Sequence, residues 1–183
     1  MEIPIYPNSR EDLELIETFL WDPEKGAPDI DLHLERMCKS AVNLKFKFEI
    51  IKIKEKILKI KSQSRLRCRL TLRIDGTINL TTAPLSLNSK PWVLRLSNSI
   101  LSSSDPWLLH KSSNRVLYDA ERANLPDGID ELVYLNERNE VCEGTITNIF
   151  VKIDGHWLTP PLSCGCLPGV LRRKKIEDAS CKV

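Results

Sequence analysis

Arg65-Leu66-Arg67-Cys68-Arg69-Leu70-Thr71-Leu72-Arg73-Ile74-Asp75-Gly76-Thr77 is the stretch in which the apolar period becomes two. Leu66, Cys68, Leu70, Leu72 and Ile74 fall on one face, and Arg65, Arg67, Arg69, Thr71 and Arg73 on the other, so the segment reads as a half-buried strand with a strongly basic side. Asp75-Gly76 is a tight-turn signal, and Thr77 to Thr82 answers as the partner strand of a hairpin. Working upstream, Ile50, Ile53, Ile57 and Leu58 alternate with lysines as an amphipathic helix. From Asp31 the apolar residues Leu34, Met37, Cys38, Ala41, Val42 and Leu44 recur at helical spacing, with Asp31 as the expected N-terminal cap. Leu13 to Trp21 reads as a strand closed by the turn Asp22-Pro23-Glu24-Lys25-Gly26. Strand, two helices and hairpin in that order predict an α+β fold.

Downstream, Trp92 to Leu96 reads as a strand leading into the polar stretch Ser97 to Asp105. Its Ser102-Ser103-Ser104-Asp105-Pro106 has the composition of a linker between two lobes. The expected division is an N-terminal α/β lobe over 1–104 and a C-terminal lobe over 105–183. In the second lobe the pattern predicts a helix over Asn114 to Asn124, a strand over Glu131 to Leu135 and a turn over Asn136 to Glu140. Strands Ile146 to Ile153 and His156 to Thr159 flank the hairpin turn Asp154-Gly155. After the Pro160-Pro161 break, Leu167 to Gly169 introduces a last helix from about Val170.

With 183 residues, 42% hydrophobic and 28% charged, the chain can bury a core as one domain or two small ones. Twenty-seven basic residues against 25 acidic ones leave a net charge of +2, which gives no general electrostatic case for nucleic acid or an anionic membrane. Met1-Glu2-Ile3-Pro4-Ile5-Tyr6-Pro7 lacks a basic start followed by an apolar run, and no later stretch is long enough to cross a bilayer. A cytoplasmic protein is the expectation. Cys38, Cys68, Cys142, Cys164, Cys166 and Cys181 are scattered through ordinary helix and strand patterns and read as reduced thiols. Cys164-x-Cys166, without a second pair or nearby histidines, is a weak metal signal, so no metal site is expected. His33, His110 and His156 sit in three different patterns, and neither a Gly-x-Ser-x-Gly elbow nor a GxGxxG run is present.

Lys111, in His110-Lys111-Ser112-Ser113-Asn114-Arg115, follows the expected linker, where partial desolvation would leave a free amine able to attack a carbonyl. A solvated surface lysine is the plainer reading of the position. Glu143, in Glu143-Gly144-Thr145, follows Val141-Cys142, so its carboxylate needs a partner, either a protonated ring nitrogen or an arginine. Asn148 carries an amide able to hold a neighbouring loop. Ser163 to Arg172 supplies loop residues, a proline near a helix start and a glycine, leaving backbone N–H groups that suit a phosphate or simply a loop-to-helix junction. Arg36 lies on the first helix and offers either a phosphate-binding guanidinium or a surface ion pair. An amine, a carboxylate and a helix-start anion site are the groups that hold pyridoxal phosphate by its aldehyde, ring nitrogen and phosphate.

Taken together these segments resemble the class IV aminotransferase family of pyridoxal-phosphate enzymes, from about Leu15 to Arg172. Ile16-Glu17-Thr18 resembles the family's first core strand, His33-Leu34-x-Arg36-Met37 its phosphate-arginine helix, and His110 to Arg115 its lysine segment. Glu143-Gly144-Thr145-x-x-Asn148-Ile149-Phe150 and Thr159-Pro160-Pro161-Leu162-x-x-Gly165-x-Leu167-Pro168-Gly169-Val170-x-Arg172 resemble its signature. The likeness implies a two-lobed class IV aminotransferase-like fold with pyridoxal 5'-phosphate between the lobes, a small-molecule amino substrate and a homodimer. It implies Lys111 as the lysine that takes the cofactor aldehyde and moves protons, Glu143 at the pyridine nitrogen and Arg36 on the phosphate. The amides of Val170 and Leu171 would complete the phosphate cup, and Thr18 would face the substrate.

Asp105-Pro106-Trp107-Leu108-Leu109-His110-Lys111 and Asn114-Arg115-x-x-Tyr118-Asp119 look most like the family's aminodeoxychorismate lyases, which convert 4-amino-4-deoxychorismate to 4-aminobenzoate and pyruvate in folate biosynthesis. A branched-chain or D-amino acid aminotransferase is the alternative. Arg115, standing near where many family transaminases place a tyrosine, mildly favours the lyase. The family normally continues past the last helix, so the second lobe is expected to be incomplete at Val183. An inactive family member is therefore a third reading.

Overall fold

The computed structural model describes residues 12–86 and 90–183; Met1-Glu2-Ile3-Pro4-Ile5-Tyr6-Pro7 lies outside them. The chain divides into two compact units, residues 1–88 with Lys111–Asn114, and residues 89–110 with Arg115–Val183.

The first unit contains β1 (Glu14–Trp21), α1 (Ile30–Leu44), α2 (Ile50–Leu58), β2 (Leu66–Arg73) and β3 (Ile78–Pro84). Its strands form one antiparallel sheet in the order β1-β2-β3. Thr18 lies opposite Arg69 and Leu20 opposite Arg67, so the alternation of the Arg65 stretch fixes which side faces the helices. Leu15, Phe19, Cys68, Leu70 and Leu72 are buried with Leu34, Met37 and Ala41 of α1 and Ile53 and Ile57 of α2. The turn after β1 closes as expected, with paired backbone hydrogen bonds between Asp22 and Gly26. The cap of α1 differs from expectation. Asp29 occupies it in a left-handed conformation without a side-chain capping hydrogen bond, while Asp31 lies inside the first turn and pairs with Lys54 at 2.8 Å. Asp31 thus complements the helix dipole rather than capping an N–H.

The second unit holds β4 (Leu94–Leu101), α3 (Val116–Ala123), β5 (Glu131–Asn136), β6 (Val141–Gly144), β7 (Val151–Ile153), β8 (His156–Leu158) and α4 (Val170–Glu177). β4 and β5 pair in parallel, β5 and β6 antiparallel, and β7-β8 is a separate hairpin. Leu101, Leu108, Tyr118, Leu132, Tyr134 and Cys142 form its core. Ser97 to Leu101, expected as part of a polar stretch beyond the strand, is strand. The hydroxyls of Ser97 and Ser99 donate to the Glu121 carboxylate of α3 at 2.7 and 2.5 Å, which satisfies the polar face of β4.

The division consequently does not fall between 104 and 105. Pairing with β5 places β4 in the second unit, and residues 111–114 return to the first. There Ser112 bridges Leu15, and the Ile16 and Ser113 N–H groups donate to the Lys111 and Glu14 carbonyls, each at 2.8 Å. All six cysteines are free thiols, as the sequence suggested. Among the described residues no helix is long and apolar enough to cross a membrane.

Candidate active site

The expected site residues are distributed over both units. In the first, the antiparallel bridge between Leu15 and Ser112 sets Lys111 directly opposite Ile16. Opposed residues of antiparallel strands share a face, so Lys111 shares its face with Ile16 and Thr18, turned away from α1. Lys111 is half-buried and Ser112 buried, and the Ser113 hydroxyl accepts from the Glu14 N–H at 2.9 Å. Backbone bonds to β1 fix the lysine's attachment point although it lies in no regular element.

Arg36 reaches the helix-facing side of β1. Its Nε and Nη2 donate to the two oxygens of Glu17 at 2.9 and 2.6 Å, and His33 Nδ1 donates to the same carboxylate at 2.7 Å. Glu17 is only 1% exposed. Burial pushes its carboxyl up, but the hydrogen bonds and charges of His33 and Arg36 outweigh that and hold it below the ordinary carboxylate value. The sequence reading assigned Glu17 no role. Its signal was a carboxylate inside an apolar strand, which requires a buried partner, together with His33 and Arg36 on one face of the following helix.

In the second unit, Glu143 on β6 is 7% exposed. Its Oε1 accepts from the Tyr118 hydroxyl at 2.9 Å and its Oε2 from the Leu167 N–H at 2.8 Å. Burial, then the charge of Glu143, push the Tyr118 hydroxyl strongly up, so it stays protonated and donates. The Arg115 guanidinium lies 5.3 Å from the Tyr118 ring centroid and donates to the Thr145 carbonyl at 2.7 Å. The loop after Glu143 wraps the fully buried carboxylate of Glu131. That carboxylate accepts from the Thr145 and Ile146 N–H groups at 3.0 and 3.3 Å, from the Thr147 hydroxyl at 3.2 Å and from the Thr145 hydroxyl. At Gly144 a Cβ would meet Glu131 side-chain carbons at 3.0 Å and the Thr147 hydroxyl, so this close wrap requires glycine.

Asn148 holds the neighbouring loop as expected, donating from Nδ2 to the Leu167 carbonyl at 2.9 Å. Gly169 precedes α4 and packs against that amide so closely that any Cβ would collide with it. No side chain caps α4, and its first turn carries no acid. The leading N–H groups, those of Val170 and Leu171 among them, lack intrahelical acceptors by geometry. Arg172 turns inward and donates to the Pro160 carbonyl at 2.8 Å, fixing the Thr159-Pro160-Pro161 bend beside α4.

The donor chemistry fits pyridoxal phosphate. A lysine amine fixed at its backbone can take an aldehyde, a buried carboxylate held by two donors suits a protonated ring nitrogen, and an uncapped helix start suits a phosphate.

Comparison with known proteins gives the family. The family model described as amino-transferase class IV matches residues 14–182. The chain belongs to the class IV aminotransferases, a family of pyridoxal-phosphate-dependent aminotransferases and lyases, and is an enzyme of that class. Within the family, it is 30% identical over 178 residues to a Schizosaccharomyces pombe protein provisionally named an aminodeoxychorismate lyase, covering 93% of this chain and 76% of that one. It is 27% identical over 184 residues to the aminodeoxychorismate lyase of Bacillus subtilis, covering 85% of this chain and 61% of that protein. A solved Mesorhizobium loti structure, provisionally named an amino-acid aminotransferase, superposes with a TM-score of 0.88 at 37% identity, covering 94% of this chain and 86% of that one.

Proposed function

We propose that this chain is a pyridoxal-phosphate-dependent lyase that converts 4-amino-4-deoxychorismate to 4-aminobenzoate and pyruvate, acting as a homodimer. The observation that carries the reading is the pair of curated relatives, both named for that activity and together spanning most of this chain.

When bound, pyridoxal phosphate supplies an electron sink for the bonds around the substrate nitrogen. Lys111 would hold the cofactor aldehyde until the substrate amine replaces it. Its freed Nζ would then remove the proton from the carbon bearing that nitrogen. Glu143, oriented by Tyr118 and Leu167, would keep a proton on the ring nitrogen. Arg36, Val170 and Leu171 would hold the phosphate, and Thr18 would face the substrate. Breaking the carbon–oxygen bond to the side chain would expel enolpyruvate, which takes up a proton at its methylene carbon to become pyruvate, and aromatisation of the ring would make the step downhill.

The second reading, an amino acid aminotransferase, is favoured by the Mesorhizobium loti likeness. It uses the same lysine and carboxylate. The two separate by product. With pyridoxal phosphate and 4-amino-4-deoxychorismate alone, the lyase reading predicts pyruvate and 4-aminobenzoate in equal amounts, abolished in Lys111→Ala. Amino transfer only in the presence of a 2-oxo acid contradicts it, and no turnover of either kind contradicts both readings. Light scattering on the same preparation should give about twice the 20.9 kDa chain mass, and a monomer mass contradicts the homodimer.

A further inference from the structure

Glu131 opens β5 with a fully buried carboxylate that the proposed chemistry does not use. A carboxylate taken out of water is tolerated only where donors fill its lone pairs. Two donors lie outside the neighbouring loop, the Leu132 N–H at 3.0 Å and Arg122 Nη1 at 3.4 Å. The Thr145 and Ile146 N–H groups and the Thr145 and Thr147 hydroxyls all belong to loop 144–147. That loop closes on itself, the Gly144 N–H donating to the Thr147 carbonyl at 2.8 Å, and the residues at its two ends, Glu143 and Asn148, face each other in an antiparallel bridge. Thr145 is fixed a second time, since Arg122 Nη1 donates to its hydroxyl at 2.9 Å and Arg115 Nη2 to its carbonyl at 2.7 Å. The loop is bent over the Glu131 carboxylate, and its ends stand where that carboxylate puts them.

Those ends grip one residue from both sides. Glu143 Oε2 accepts from the Leu167 N–H at 2.8 Å, and Asn148 Nδ2 donates to the Leu167 carbonyl at 2.9 Å. The same carbonyl accepts from the Gly169 N–H at 2.8 Å, and Gly169 is the residue on which α4 begins. Glu143 and the start of α4 therefore belong to one continuous set of hydrogen bonds, closed at its far side by Glu131.

We infer that Glu131 is a positioning residue: by shaping loop 144–147 it sets Glu143 and the start of α4 relative to each other, so that the ring nitrogen and the phosphate of one cofactor are gripped together. This rests on the reading of those two groups as the cofactor's partners. Glutamine is the informative replacement because it keeps the shape and can still accept the Thr145 donors at one atom, but its amide N–H2 then faces the Ile146 N–H and leaves that donor without an acceptor. Thr147→Val is milder, removing only a hydroxyl donor at 3.2 Å.

The test uses the full chain freed of cofactor and two probes read by calorimetry, which gives both the Kd and the number of sites. 4-Deoxypyridoxine 5'-phosphate carries the ring nitrogen and the phosphate but no aldehyde, so its binding does not involve Lys111; benzyl phosphate carries the phosphate alone. In Glu131→Gln the first probe should weaken about tenfold or more, benzyl phosphate should weaken as well, and the advantage of the first over the second should shrink. Thr147→Val should move all three the same way by less, and it decides alone where Glu131→Gln yields no folded protein. Unchanged Kd values with fewer sites mean that Glu131 serves only the fold, and an effect confined to one probe means that the two grips are set separately; either overturns the inference. Glu143→Gln separates this from the reading beneath it. If the advantage of the first probe survives in Glu143→Gln while Glu131→Gln still weakens both probes, Glu143 is not the ring-nitrogen partner and the positioning role of Glu131 stands. If Glu143→Gln abolishes the advantage and Glu131→Gln leaves it intact, Glu143 keeps its role and Glu131 loses the one inferred.

Discussion

Glu17 occupies a strand position where leucine would pack, yet it is among the most buried side chains described. A carboxylate there is tolerable only because Arg36 grips it from two nitrogens and His33 from one. Its folded-state carboxyl is held below the ordinary value of 4.5, so its contribution is fully present above that value and is lost as pH falls through the lower folded one. Glu17→Gln should therefore lower stability at neutral pH by about 3 kcal/mol, since Arg36 then keeps a buried charge without its counter-ion. It should also flatten the acid side of the stability profile. Urea titrations at pH 7 and at steps below 4.5 read both effects, and an unchanged acid slope contradicts the role assigned to Glu17. The sequence showed the residue types of the site but not this dependence. Lys111, Arg36 and Glu143 stand out in local motifs, whereas Glu17, Tyr118 and Glu131 are held by Arg36, Glu143 and Thr145, which lie 19, 25 and 14 positions away.

At the scale of elements, periodicity gave the buried face of α1 at Leu34, Met37 and Ala41 and of β2 at Cys68, Leu70 and Leu72, whereas Val42 at 72% and Leu58 at 79% are exposed. Both helices of the first unit and its hairpin lie where the pattern put them. The expected strand Ile146 to Ile153 forms only over Val151–Ile153, and two other failures share one cause, which is that polar groups met partners distant in sequence. Ser97 and Ser99 read as a polar stretch beyond the strand because their hydroxyls suit loops, but Glu121 on α3 accepts both and lets β4 continue to Leu101. The helix was expected from Asn114, but bonds to β1 hold the segment just before it, and α3 begins at Val116. The start of α4 was legible from Pro168 and Gly169 because that signal is local. Its packing makes a prediction. Gly169→Ala should destabilise by about 1–3 kcal/mol, the usual cost of forcing extra atoms into a filled space, because its Cβ runs into Asn148 while that amide is bonded to Leu167. In Asn148→Ala the same substitution should cost far less. Denaturation of the two single variants and the double variant measures the coupling, and additive effects contradict the close packing.

For the whole molecule, the division into two units was expected, but its boundary follows pairing rather than composition. Ser102-Ser103-Ser104 is polar without being a linker, with Ser103 bound to Glu137 through its N–H at 2.8 Å and its hydroxyl at 2.5 Å. Burial of Leu101 and Leu108 on either side commits this stretch to the second unit. The first unit holds Lys111 and the buried Glu17–Arg36 pair, and the second holds Glu143 and the start of α4. The proposed function turns on Lys111 as the residue that takes the cofactor aldehyde. Borohydride reduction of the protein incubated with pyridoxal phosphate, followed by peptide mass spectrometry, tests this directly. A reduced pyridoxyl group on Lys111, lost in Lys111→Ala, is the predicted result; an unlabelled protein, or a label confined to another lysine, contradicts it.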